Sequence, residues 1–357
     1  MSGASAIQRQ KIVLRMGIAA AAAILVGGLT FVPPPEEQKR AEVGKLVLPE
    51  FAANADKVAL VMVTTKDEAY HIVRNGGASG APNAGAQWVL AEKGSYSVEP
   101  ERVAKLVRAL SAIKFDEPMT RDDKKFDRIG LGDPADGGTG AVLEVSDGQG
   151  NNFAKLLVGY RDGRSYIREI GDLQAWAVDG GEMPPLQRAA RWLDLDVATI
   201  APADIEEVTV RAHDGPWYTL LAADAVGQQF KLAQPHSSKQ LLTAFGPTMT
   251  AQALSRLSPI DVQPAAKVAR GSPWSQYIVK TRSGASFVVQ TWKTGDGKAS
   301  DLKAGLWVTI SAAISEKATP EAAVAASRIN ARAAGWAFGL SELDWNTFST
   351  PLAVLVE

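Results

Sequence analysis

The sequence of 357 residues contains no cysteine and only three histidines. The absence of cysteine excludes disulfide bonds, thiolate zinc sites, iron–sulfur clusters and cysteine nucleophiles. The histidines, His71, His213 and His236, do not stand at metal-ligand spacing from one another, so we expect no metal site. The formal net charge of −1 supplies no basic excess to neutralise phosphates, which argues against a nucleic-acid partner.

Catalytic motifs are lacking as well. The sequence has no Gly-x-Ser-x-Gly elbow, and no Gly-Lys-Ser/Thr follows the glycine-rich residues 76–85, so these do not form a phosphate loop. Two acidic pairs, Asp194 with Asp196 and Glu206 with Glu207, have the composition of a glycosidase site. Acids directly after a helix or at the start of a strand are more often solvated. We therefore predict that the protein is not an enzyme and uses no cofactor, with an envelope hydrolase as the least favoured alternative.

One long apolar run is present near the N-terminus. Residues 16–32 carry no charged side chain, and a helix counted from Ile12 to Val32 spans about 30 Å, the thickness of the bilayer hydrocarbon. Bulky Phe31 and Val32 and then three prolines follow the run, which is poor context for signal-peptide cleavage. We expect an uncleaved transmembrane anchor over residues 12–32.

Small residues follow one face of this predicted helix. Ala19, Ala23 and Gly27 recur at four-residue spacing, which would allow a second helix to approach closely in lipid. The other interpretation is an anchor that is simply rich in alanine.

Charge predicts the orientation of the anchor. Arg9, Lys11 and Arg15 precede it without any acidic residue, so the positive-inside rule places residues 1–11 in the cytoplasm. The rest of the chain is then exported. We expect a single-pass protein of a bacterial inner membrane, with its bulk in the periplasm.

The exported part shows one order of elements twice. Residues 33–56 form a predicted stalk, residues 57–200 a first domain, and residues 205–357 a second domain with a C-terminal tail. Each domain is predicted as three strands, a helix, three to four strands and a closing helix, which gives an α+β fold with antiparallel sheets. In the second domain the helix is predicted to open at Ser237 or Ser238, to be interrupted at Gly246-Pro247 and to resume through residues 250–257.

Three arginines cluster around the predicted turn "YRDGRSYIRE". Arg161, Arg164 and Arg168 lie on a predicted sheet edge, where they would hold an anionic lipid head group or carboxylates of a partner. The alternative is a solvated edge whose charges prevent aggregation.

Several short signatures occur in a fixed order along residues 58–345. They are "WVLAEKGSYSVEPERVAKLVRAL", "IGLGDP" at residues 129–134, "LLVG" at 156–159, "SYIRE" at 165–169, "RWLDL" at 191–195 and "INARAAGWAFGL" near the C-terminus. Together they resemble the bacterial family called domain of unknown function 4340. The resemblance implies one N-terminal span, an exported tandem domain, and genes located beside ABC-type exporters of the gliding-motility class. It implies no catalytic residues.

These observations predict a non-enzymatic, membrane-anchored subunit of an ABC-type envelope transport assembly. It would act as a scaffold or a substrate-contacting component, with the membrane and an ABC-type permease or auxiliary membrane subunit as partners. The alternative is a module that binds an envelope lipid or glycan through its sheet faces or through the arginine edge.

Overall fold

The computed structural model describes residues 41–75, 87–213, 215–294 and 305–357, which form two antiparallel sheets with several helices. The predicted α+β class with antiparallel sheets is thereby confirmed. The predicted anchor at residues 12–32, with Ala19, Ala23 and Gly27, and the loop at 76–85 lie outside the described residues. In the described ranges, no helix has the length and apolar character needed to cross a membrane.

The first sheet contains nine strands and two helices pack near it. The strands are β1 Val58–Thr64, β2 Ala69–Asn75, β3 Gln87–Leu90, β4 Tyr96–Ser97, β5 Lys114–Pro118, β6 Ala141–Asp147, β7 Asn152–Arg161, β8 Arg164–Glu169 and β9 Ala175–Asp179. Their order across the sheet is β4-β3-β2-β1-β6-β7-β8-β9-β5. The helices are α1 Pro49–Asn54 and α2 Pro100–Ala112. Helix α2 starts with Pro100, which suits the first turn, and it buries the stripe of Val103, Leu106 and Leu110.

The second sheet contains eight strands. They are β10 Ile205–Arg211, β11 Trp217–Ala222, β12 Phe230–Leu232, β13 Asp261–Pro264, β14 Ser275–Thr281, β15 Ala285–Thr294, β16 Gly305–Ile314 and β17 Trp336–Gly339. They lie in the order β12-β11-β10-β14-β15-β16-β17-β13. The helices of this half are α3 Gly246–Ala251, α4 Pro320–Ala333, α5 Glu342–Phe348 and α6 Leu352–Leu355. Thr319 caps α4, where its hydroxyl accepts a hydrogen bond from the backbone N–H of Ala322.

The two sheets share one strand order. Apart from β4, which has no counterpart, β3-β2-β1-β6-β7-β8-β9-β5 of the first sheet corresponds in turn to β12-β11-β10-β14-β15-β16-β17-β13 of the second. A buried tyrosine marks the same place in each half. Tyr70 of β2 donates a hydrogen bond to the Leu186 carbonyl, and Tyr218 of β11 donates one to the Thr350 carbonyl. Both carbonyls belong to the segment that follows the last strand of their half, so the correspondence extends to individual residues.

The prediction of a helix from Ser237 or Ser238 is wrong. Helix α3 begins at Gly246, and Pro247 occupies its first turn, where a missing backbone N–H costs no intrahelical bond. The residues before it bind the C-terminus instead: the Leu242 N–H donates to the Leu355 carbonyl and the Gln240 carbonyl accepts from Glu357 N–H. The closing element of the first half is a 3-10 helix over Ala189–Trp192.

Residues 44–47 extend the first sheet at its β5 edge. The Gly44 N–H donates to the Phe115 carbonyl, the Phe115 N–H donates to the Lys45 carbonyl, and the Val47 N–H donates to the Ile113 carbonyl. Helix α1 follows directly and buries Phe51 completely. The described part of the predicted stalk is therefore packed onto the first sheet, and only residues 33–43 separate that ladder from the predicted anchor.

The two sheets meet edge to edge. Strand β4, at one edge of the first sheet, faces β13 and β17 at the near edge of the second. The Tyr96 ring lies edge-on to Trp336 and Phe338, with ring centroids 4.8 Å and 6.0 Å apart, and the Lys93 ammonium binds Asp261 at 2.7 Å. Buried side chains of both halves form one continuous core. The halves are therefore joined by packed side chains and not by the linker alone.

Alkaline pH should weaken this junction. Burial raises the pKa of Tyr96 to about 12, and the nearby Asp194 carboxylate adds to the rise. Because unfolded tyrosine titrates near pH 10, the folded state binds this proton more tightly, and the stabilisation present below pH 10 is lost as pH rises towards 12. We expect Tyr96→Phe, which has no proton to lose, to match the wild type in its urea midpoint at pH 8. At pH 11 the variant should lose about 1 kcal/mol less stability than the wild type. An equal loss in both proteins would contradict this assignment.

Candidate functional site

The predicted arginine cluster is largely bound within the protein. Arg164 forms ion pairs with Asp116 at 2.7 Å and Glu117 at 3.4 Å, both on β5, which lies on the other side of β9. The Arg168 guanidinium donates to the Asp172 carbonyl and lies 4.8 Å from the centre of the Phe126 ring. Arg161 is 61% exposed, with the Asp162 carboxylate 3.8 Å from its Nε atom. The three side chains do not converge on one point, since Arg164 and Arg168 each serve a separate internal contact.

The candidate carboxylate pairs also have basic partners. Asp194 receives both terminal nitrogens of Arg332, at 2.9 Å and 3.3 Å, which links the first half to the C-terminal turn of α4. Asp196 lies 3.8 Å from Arg328, one turn earlier on the same helix. These contacts give Asp194 and Asp196 a role in joining the halves. The second pair behaves similarly, because Glu207 binds Lys280 on the adjacent strand β14 at 2.7 Å, while Glu206 is exposed.

The three histidines have different neighbours in the structure. The His71 ring binds the Glu92 carboxylate through Nδ1 at 2.5 Å, and the His71 N–H donates to the same carboxylate. Burial alone would raise the pKa of Glu92, but the hydrogen bonds from His71 lower it below its ordinary value. His213 stacks on Trp274 with ring centroids 3.8 Å apart, and His236 is half-buried. Within the described ranges, no group of three or more metal-binding side chains comes together.

The second sheet has one face packed on the core and one face that remains accessible. Val208, Val210, Val279 and Val289 point to the core and are fully buried. The residues that alternate with them are half-buried or exposed, as expected where helices cover only one side of an antiparallel sheet. Helices α3 to α5 and the C-terminal segment contribute buried residues to the core. On the opposite face, Trp292 of β15 is buried against Val268 and Ala337, and the face is open beside this cluster, over β10, β14 and the adjacent part of β15.

A row of polar side chains crosses this open face. Directly paired residues on neighbouring strands share a face of the sheet. Trp217 pairs with Arg211, Arg211 with Gln276, Gln276 with Gln290, and Gln290 with Thr309. We refer to these five residues, which run across β11, β10, β14, β15 and β16, as the polar row.

The five residues of the polar row differ in their side-chain contacts. The Arg211 guanidinium lies 5.8 Å from the centre of the exposed Trp217 ring, and the Thr309 hydroxyl accepts a hydrogen bond from the Trp292 indole at 3.2 Å. The half-buried amides of Gln276 and Gln290 form no hydrogen bond with any residue that the structure describes. They are therefore available to a ligand.

The corresponding row of the first sheet contains no glutamine, and only its member on β7 is fully buried. Following the same pairings, it consists of Ala69, Thr64, Val142, Leu157 and Arg168. Leu157 is fully buried in a second cluster with Phe126 and Leu131. In the first half, the position that corresponds to Gln290 is therefore covered, whereas Gln276 and Gln290 of the second half are half-buried.

Two of the sequence signatures bring together the segments that cover Leu157. "IGLGDP" at residues 129–134 lies against "LLVG" at 156–159, and a Cβ added to Gly159 would lie 2.5 Å from the Gly130 carbonyl. Gly130 itself has a φ of +74°, a conformation that favours glycine. These glycines therefore allow the backbone of residues 129–131 to approach the sheet closely and to shield Leu157 from solvent.

No local pattern in the sequence points to the polar row as a site. The alternation in "SQYIVK" and "FVVQTW" shows that glutamine falls on the polar side of each strand. The register that aligns Gln276, Gln290 and Arg211 becomes visible only once β10, β14 and β15 are placed side by side.

The architecture defines a class: two antiparallel sheets of one strand order, joined edge to edge through a common core. A family model described as Domain of unknown function (DUF4340) matches residues 88–269. The match covers just over half of the chain, and the protein belongs to this family. It runs from β3 past β13, so it includes Tyr96, Asp194 and Asp261 of the junction. No curated protein matches the chain.

Proposed function

We propose that the protein is a non-enzymatic, membrane-anchored subunit of an ABC-type envelope transport assembly, in which its periplasmic part acts as a scaffold. The observation that carries the proposal is the ladder between residues 44–47 and β5. Residues 33–43, even fully extended, reach at most about 40 Å, so an anchor at residues 12–32 would keep the β5 edge near the bilayer.

The junction supports a scaffold role. A scaffold must hold its surfaces at fixed positions, and the two halves share one core and an ion pair between Asp194 and Arg332. The strand order then runs from β5 at the anchored edge, through the junction at β4 and β13, to β12 at the far edge. One half would lie next to the membrane and the other half farther into the periplasm.

The ABC-type partner is proposed from the signatures in the sequence. They resemble a family whose members are encoded beside ABC-type exporters and auxiliary membrane subunits. The acids that would have suggested a hydrolase are engaged by Arg332, Arg328 and Lys280, which favours a structural role for them.

Co-purification from native membranes tests this function. The full chain with a C-terminal tag, extracted in mild detergent, is expected to bring an ABC-type permease or auxiliary subunit with it, identified by mass spectrometry. Ala23→Leu with Gly27→Leu should weaken the association if small residues form the helix contact. Ala21→Leu with Gly28→Leu, on the opposite helical face, is the matched control. Purification as a lone monomer would contradict the proposal.

A further inference from the structure

We propose that the polar row on the second sheet binds a linear saccharide chain. This site goes beyond the scaffold function and does not depend on it. The row lies within the sheet, where β10, β14 and β15 each have hydrogen-bonded neighbours on both sides. Their backbone groups are already paired, so the face recognises its ligand through side chains and not by adding a strand.

The side chains of the row match the chemistry of sugar hydroxyls. A hydroxyl both donates and accepts a hydrogen bond, and a glutamine amide offers two donors and a carbonyl acceptor in one plane. Gln276 and Gln290 stand side by side on paired strands, and Arg211 adds further donors next to Gln276. Thr309 supplies a hydroxyl at the other end. No carboxylate stands in the row, so it accommodates neutral or anionic saccharides.

Trp217 provides a stacking surface at one end of the row. Its indole is 42% exposed, and the Arg211 guanidinium over one side of the ring restricts its orientation. A pyranose ring presents a face of C–H groups that packs on an aromatic ring, while its hydroxyls point outward towards polar groups. The exposed indole beside free amides therefore suits a sugar better than it suits a purely apolar ligand.

The spacing of the row suits a repeating polymer. Neighbouring strands lie about 4.8 Å apart, so the five residues extend over about 19 Å, the length of about four sugar units. The first sheet provides an internal comparison, because the positions of Gln276 and Gln290 are occupied there by Val142 and Leu157, of which Leu157 is fully buried under the "IGLGDP" segment. The fold itself therefore does not require glutamines at these positions.

The test uses the full chain in a detergent without a sugar head group and three defined probes: cellohexaose, N-acetylchitohexaose and hexagalacturonate. Isothermal titration calorimetry is expected to show binding of at least one probe. Trp217→Ala, and separately Gln276→Ala with Gln290→Ala, should each weaken that binding at least about tenfold.

Two exposed residues outside the row serve as matched controls. Tyr160→Ala removes a 65% exposed aromatic ring from β7 of the first sheet, and Gln187→Ala removes an exposed amide. Both should bind like the wild type. The proposal is overturned if none of the three probes binds, if the row variants bind normally, or if the controls weaken binding equally. It is also overturned if a photo-crosslinker at position 217 captures only protein in cells.

Discussion

Phe51→Ala is expected to lower the free energy of unfolding by about 3–5 kcal/mol, the range for removing a buried aromatic ring from a packed core. Phe51 is fully buried, and its helix α1 packs against α2 and β7. Chemical denaturation of the full chain in detergent, followed by tryptophan fluorescence, measures the change.

Val43→Ala is the control for this experiment. Val43 belongs to the same segment but is 45% exposed, so its replacement should change stability by less than about 0.5 kcal/mol. If Phe51→Ala proved as mild as Val43→Ala, residues 41–57 would be a free stalk. The proposal that the β5 edge of the first sheet lies near the bilayer would then lose its support.

The burial of Phe51 could not be predicted from the sequence. Residues 33–56 are rich in proline and charge, which favoured a stalk, and Lys45 interrupts their most apolar part. In the fold, that lysine lies on an edge ladder, where one side of the chain faces solvent. A segment of this kind buries only single residues, and no local periodicity predicts which ones.

The elements that could be predicted are those specified by local pattern. Helix α2 has an apolar stripe and a starting proline, and α4 has a capping threonine, so the start of each helix can be predicted from local sequence. Strands β5 and β13 were missed because each is short and pairs with a strand far along the chain, β9 and β17 respectively. Charged residues in β5 are typical of an edge strand but resemble a loop in the sequence.

The ion-pair partners of the charged residues could not be predicted from the sequence, for the same reason. The arginines at 161, 164 and 168 were recognised as a local cluster. The carboxylate of Asp116 that binds Arg164 comes from a strand on the other side of β9. Likewise, Arg332 binds Asp194 across the junction. Spacing in the sequence shows which charges are neighbours along the chain, but contacts between distant segments decide which of them are neutralised.

The second prediction with a large expected effect concerns the membrane topology of the chain, on which the proposed function depends. Because the chain has no native cysteine, one introduced thiol reports on its own position without background. Ser272 is exposed just before β14 and suits this purpose. Ser283 does not, since its hydroxyl binds the Asp204 carboxylate at 2.6 Å. Ser5 lies before the predicted anchor and marks the other side of the membrane.

The decisive measurement is labelling of Ser5→Cys and Ser272→Cys in intact cells, using a maleimide that reaches the periplasm but not the cytoplasm. The account predicts a labelled Ser272→Cys protein that sediments with the membranes, and a Ser5→Cys protein that reacts only after lysis. Labelling at position 5 in intact cells, or a labelled Ser272→Cys protein released into the soluble periplasmic fraction, would contradict it.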